Sequence, residues 1–299
     1  MTPESEKFLA DIGGNDVEAR YRAWRSAGNA DPEVIPQLGK MLVGSEPGVR
    51  RAADEALKLM VHSVGKETSG AKRAAVVRQL IALTADGHPA WVRTIALRRL
   101  SLIGGDETVP AAARLLTNPE LQEEAVFCLE RIPGRASTEA LMAAEPRVSN
   151  AFKPRILAAL GHRRADEAIN LCATAIGSSD LAIEIAGMKA AARIGRKPTV
   201  EVKHPDNQTL SGWQKIEFDD SILRYADRRA ERGDASDAVH LYRDYLNRPE
   251  EHLQCAAIIG LSKTNTAEAA SLIYPKLKSE NRTVRITARK AWEAMGKAG

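Results

Sequence analysis

The sequence is short of most of the residues that carry chemistry. Aromatic side chains make up 4% of its 299 residues, and it holds three cysteines, Cys128, Cys172 and Cys255, far apart and each set among apolar residues. An odd, scattered set of this kind reads as small buried hydrophobes, not as a disulfide framework or a thiolate cage. Of the six histidines (His62, His88, His162, His204, His240 and His252), none stands beside another His or a Cys at zinc-ligand spacing. There is no Gly-x-Gly-x-x-Gly, no P-loop and no Gly-x-Ser-x-Gly elbow; Gly13-Gly14 and Gly104-Gly105 follow helical stretches and read as helix stops. Adjacent carboxylates, Glu123-Glu124 and Asp219-Asp220, diverge on a helix and read as solvated-face residues. No metal, no cofactor and no catalytic residue is expected, which weighs against an enzyme.

No apolar run approaches the length of a membrane span, and the opening Met1-Thr-Pro-Glu-Ser-Glu-Lys lacks the hydrophobic stretch of a signal peptide. A cytoplasmic location is the expectation. Charge supplies no partner: 43 basic residues against 39 acidic leave a net +4, dispersed along the chain, so nucleic acid and anionic membranes are not favoured.

What the sequence does have is recurrence. Apolar residues at 44% and charged residues at 27% are an ordinary folded balance, and the bias toward Ala and Leu favours closely packed helices. Four segments share one pattern: Pro47-Gly-Val-Arg-Arg-Ala-Ala-Asp-Glu-Ala-Leu, Pro89-Ala-Trp-Val-Arg-Thr-Ile-Ala-Leu-Arg-Arg-Leu, Pro119-Glu-Leu-Gln-Glu-Glu-Ala-Val-Phe-Cys-Leu and Asn281-Arg-Thr-Val-Arg-Ile-Thr-Ala-Arg-Lys-Ala-Trp. Each opens on a turn or first-position residue and continues with apolar residues at helical spacing. Leu102-Ile-Gly-Gly and Ala294-Met-Gly close two of them, where glycine is expected to supply a left-handed stop. The prolines are 42 residues apart (Pro47 to Pro89) and then 30 (Pro89 to Pro119), a degenerate array. Interleaved with these lie further amphipathic helices, among them Glu33–Val43, Lys72–Leu83 and Thr108–Leu116. Pairing them gives about eight helical hairpins, over 3–28, 31–64, 70–104, 106–134, 136–163, 165–195, 234–263 and 266–296.

The mark Pro-x-(x)-Val-Arg-x-x-Ala with a terminal Gly resembles the second helix of HEAT repeats, over most of the chain. The resemblance implies an all-α fold, a right-handed α-α superhelix (a HEAT-like solenoid), curved, with second helices lining its concave face. It divides the chain into HEAT-like repeats over 1–196, an irregular insert or small hairpin over 197–216, and an extra helix (217–232) plus further HEAT-like repeats over 217–299. The insert is set apart because Val200/Val202 and Ile216/Phe218 alternate about a Pro-Asp-Asn and Ser-Gly turn region. Residues 222–246 are similar to one tetratricopeptide unit, with Gly233, Ala238 and Tyr242 at that family's spacing and Pro249 close behind.

A solenoid offers a long pre-ordered surface, so the expected partner is another protein on the concave face. Candidate contacts are Arg22, Arg25, Arg51, Arg98 and Arg99 on second helices, with His204 and Trp213 of the insert. Arg50, Arg93 and Arg285, each following the opening Val, read instead as structural bonds to adjacent repeats. Trp24, Trp91 and Trp292 read as packing residues. Trp213 has two readings, an exposed binding anchor or a ring folded back to cap the groove between the sixth and seventh hairpins, and a long loop's need for an apolar anchor favours the second. Two rivals remain: a DNA-repair glycosylase-like protein, which requires a continuous basic groove, and a lyase or chaperone-like helper, which requires a deep apolar pocket. The last helix keeps Val284, Ile286, Ala288, Ala291, Trp292 and Met295 with no polar cap after it, so self-association through it is expected unless more chain follows.

Overall fold

The computed structural model describes residues 1–44, 46–66, 70–200 and 210–296, and all the regular structure among them is helical. The chain divides into two compact units, Met1–Val148 and Ser149–Gly299.

The first unit holds α1 (Pro3–Gly13), α2 (Val17–Ser26), α3 (Ile35–Val43), α4 (Pro47–Gly65), α5 (Ala71–Ala82), α6 (Ala90–Ile103), α7 (Val109–Ala113), α8 (Gln122–Arg131) and α9 (Arg135–Ala144). They pair in sequence across short turns. Second members then pack side by side, α2 on α4, α4 on α6 and α6 on α8, while α1 packs on α3 and α3 on α5. The result is two layers with the core between them. Its residues recur at helical spacing: Ala53, Leu57, Met60 and Val64 on α4, then Val92, Ala96, Leu100 and Ile103 on α6, all buried. Each side chain of Leu or Ile size that leaves water here contributes about 1.5–3 kcal/mol. No helix could bury such a stripe alone, and the neighbouring pair supplies the cover.

The second unit holds α10 (Lys153–His162), α11 (Ile169–Ile176), α12 (Leu181–Ile194), α13 (Gly212–Glu231), α14 (Ala235–Arg243), α15 (Glu251–Thr264), α16 (Ala267–Ile273) and α17 (Arg282–Ala294). Helix α12 packs on α10, α11 and α13, and α13 packs in turn on α14 and α15. Long α13 is thus gripped on both flanks. Ala226 joins the buried core and Ile222, Leu223 and Ala230 pack against it, and polar contacts add to this grip. The carboxylate of Asp219 accepts from the Tyr245 hydroxyl at 3.0 Å and from Arg248 at 3.1 Å. Tyr242 donates its hydroxyl to Asp227 at 2.8 Å, while buried Arg229 pairs with Asp234 and Asp237 at 2.9 and 2.6 Å. Asp219 is therefore buried, not solvated as its adjacency to Asp220 suggested; a hydroxyl and a guanidinium replace the water it gives up.

Seven of the eight expected hairpins correspond to helix pairs within one unit; the members of the fifth, α9 and α10, fall in different units. Boundaries differ in three places. Helix α13 begins at Gly212, five residues before the expected 217, so Ile216 and Phe218 are helical and cannot form the second arm of a hairpin. The cause is a capping box, in which Ser211 and Gln214 satisfy each other's backbone N–H groups. Residues 201–209, which include Val202 and His204, lie outside the described residues. Pro119 sits before α8 in a turn, since that helix starts at Gln122. Finally, Gly104 ends α6 with φ −70°, in extended rather than left-handed geometry. Glycine is needed there for space: a Cβ would lie 2.5 Å from Thr108 Oγ1 and 2.7 Å from the Leu100 carbonyl oxygen.

Candidate functional site

The candidate surface is the outward side of α2, α4, α6 and α8, and the sequence builds it in three steps. Polar caps start two of these helices. Asp16 accepts from the backbone N–H groups of Glu18 and Ala19, and Glu46 from that of Val49. Those bonds hold both carboxyls below their usual range, the Ala19 N–H acting most strongly on Asp16 and the Val49 N–H on Glu46.

Arginines then staple the turn leading into the helix. Arg20 donates to the Gly14 carbonyl at 2.5 Å, and Arg93 donates to the Thr84 carbonyl at 3.1 Å and to Asp86 at 2.7 Å. In the second unit Arg285 does the same to the carbonyls of Ser279 and Glu280. Arg93 and Arg285 are structural as expected, but they bind the turn of their own pair. The bond to an adjacent pair comes from Arg114, which reaches the same Thr84 carbonyl at 2.6 Å. Arg50 is exposed.

The third step joins neighbouring second helices. Arg98 on α6 forks onto Glu124 of α8 at 2.9 and 2.5 Å, and Arg99 reaches back to Asp54 of α4 at 2.8 Å. Two of the sequence-selected arginines are thus rungs between helices. Of the others, Arg22 pairs loosely with Glu18 at 3.4 Å, Arg25 lies over the rings of Tyr21 and Trp24 at 5.8 and 6.0 Å, and Arg51 is exposed on α4. Trp213 lies in the first turn of α13, in the second unit, and is 55% exposed, so its ring is not folded back into a groove. His204 lies outside the described residues.

Sequence reasoning missed three aromatic rings on this layer. Tyr21 of α2 is 53% exposed, Trp91 of α6 is 43% exposed and Phe127 of α8 is 39% exposed. Arg131 lies over Phe127 at 5.4 Å, as Arg25 does over Tyr21. Trp91 is no packing residue. Helix α6 buries Val92, Ala96 and Leu100, which leaves Trp91, Arg98 and Leu102 together on the opposite side. The signal was a helix apolar nearly all round, with more hydrophobic residues than one core face can take. Trp24 and Trp292 are half-buried, packed on Tyr21 and Tyr274 at 5.2 and 5.4 Å.

No protein-family model and no curated protein matches the sequence. Among solved structures, a mutant of Kap121p, a HEAT-repeat karyopherin, superposes with a TM-score of 0.52 at 10% identity, covering 99% of this chain and 38% of that one. An engineered protein aligns over 100% of both chains at 17% identity with a TM-score of 0.42.

The chain has a helical-solenoid fold.

At this identity the likeness concerns the fold alone, and the chain spans little more than a third of the Kap121p chain. In this solenoid the second-helix layer carries mixed charge, since Asp54 and Glu124 stand against Arg99 and Arg98. Among the described residues no helix is long and apolar enough to cross a membrane.

Proposed function

We propose that the protein is a HEAT-type scaffold that binds another protein on the second-helix layer of its first unit. The observation that carries this reading is the set of exposed rings, Tyr21, Trp91 and Phe127, on helices already tied to one another by ion pairs. Aromatic side chains flanked by arginine are the residue types that dominate binding hot spots. Here their supports are ordered before any partner arrives, so little conformational entropy is lost on docking. Arg22, Arg25 and Arg51, which tie no two helices together, keep their charge at the surface to steer an acidic partner onto the same layer. Arg98 and Arg99 act by holding the helices in register.

Capture of proteins from an extract of the source cells, compared between the wild type and a Trp91→Ser, Phe127→Ser double variant, tests the proposal. Both positions face solvent, so the variant keeps its fold by circular dichroism. Saturable retention of a defined protein that falls at least tenfold with the double variant supports the scaffold. Equal retention by both, or none by either, overturns it.

A further inference from the structure

A second binding feature lies in the other unit. Helices α11, α12 and α13 line an open-sided cavity of about 300 Å³, walled by Ile169 and Ile176 of α11, Met188 of α12, and Phe218 and Ile222 of α13. A further wall is the extended stretch after α12, with Lys197, Pro198 and Val200 turned to the cavity.

That stretch is fixed along its length. Gly195 leaves α12 in the left-handed conformation at φ 68°, with Arg229 donating to its carbonyl at 3.4 Å. Tyr225 donates its hydroxyl to the Arg196 carbonyl at 3.2 Å. Asn170 then clamps Thr199 twice, accepting its backbone N–H at 2.9 Å and donating to its hydroxyl at 2.8 Å. The cavity is therefore preformed, which is what small-ligand sites require.

Its polar groups are few and placed differently. Ser221, 4% exposed, is part of the α13 wall, and its hydroxyl has no hydrogen-bond partner among the described residues. That oxygen is itself inaccessible, so it lies behind the wall and offers a ligand no hydrogen bond. Lys197 is exposed and puts a cation at the rim. Burial raises the Tyr225 phenol above its ordinary range, as an apolar surrounding does.

We propose that this cavity binds a small hydrophobic carboxylic acid, with its apolar body between α11, α12 and α13 and its carboxylate at Lys197. A cavity of about 300 Å³ lies at the small end of ligand sites and suits a medium-chain or single-ring acid. The site shares no residue with the proposed protein-binding layer, so either can fail alone.

Isothermal titration of the full chain with decanoate, decanol and decyltrimethylammonium tests it. Decanoate binds one to one, decanol binds more weakly, and the cation does not bind. Lys197→Glu, a surface change that leaves folding intact, weakens decanoate at least tenfold and removes its preference over decanol. Ala191→Phe, which fills the cavity, abolishes binding. Absence of decanoate binding to the wild type, binding that tolerates Lys197→Glu, or equal binding of the cation overturns the proposal.

Discussion

One carbonyl oxygen, that of Thr84, accepts from two arginines, Arg93 of its own pair and Arg114 of the next. The turn between α5 and α6 cannot satisfy its own backbone groups by helix bonds, and a guanidinium carrying several donors replaces them. Arg93 follows Val92 in the motif as Arg50 follows Val49, yet Arg93 is buried and Arg50 is exposed. The same letter therefore does unlike work at like positions. Arg93→Ala should lower stability by about 1.5–3 kcal/mol, the range for a hydrogen bond made by a charged group. Arg50→Ala should stay within about 0.5 kcal/mol, as surface changes do. Urea unfolding of both variants separates them. Similar losses from the two would mean that the exposed arginine also carries a structural bond.

Among the elements, α13 is the departure from a regular array, and ion pairs tie it in. Arg232 near its C-terminal end forks onto Asp166 at 2.9 and 2.6 Å, just before α11, and Arg196 reaches the same carboxylate at 3.2 Å. The hydrogen bond from Arg232, with Arg196 adding to it, holds the Asp166 carboxyl below its usual 3.8. A carboxyl whose folded value is depressed stabilises the fold above its unfolded value, and the gain is lost as pH falls through the folded value. Asp166→Asn should thus melt earlier than the wild type at pH 7. The gap should hold down to about pH 4 and close below it. Melting curves from pH 7 to pH 2.5 check this, and a gap that persists at the acid end would assign the loss to packing. The hairpins themselves were legible because each announces its ends with proline, glycine or a capping side chain. The start of α13 was misplaced because the alternation of Val200 with Val202 and of Ile216 with Phe218 outweighed Ser211-x-x-Gln214, a helix-start signal in plain view. Exposure was harder to read than helicity. Trp91 and Phe127 look like core residues in a string of letters, and only the choice of buried stripe on α6 and α8 turns them outward.

For the molecule as a whole, the question left by a net charge of +4 is whether its cations are available to a polyanion. The structure engages many of them. Arg98 faces Glu124, Arg99 faces Asp54, Arg228 faces Glu231, and Arg229 faces Asp234 and Asp237. A phosphate must displace a carboxylate to bind at any of these, so its attraction is offset at the outset. A groove that neutralises phosphates shows it in the salt dependence, with log K falling by about 0.9 per log unit of salt for each contact. A duplex-binding solenoid making ~6–10 such contacts loses roughly three to five decades between 50 and 200 mM salt. This chain should instead show a slope below about 2 and no saturable duplex binding near 150 mM salt. A partner anchored on Tyr21, Trp91 and Phe127 should keep most of its affinity from 50 to 500 mM salt, because apolar burial is not screened. Fluorescence anisotropy with a labelled duplex across that range measures the first quantity. A steep slope would mean that the carboxylates yield readily and that the chain grips nucleic acid.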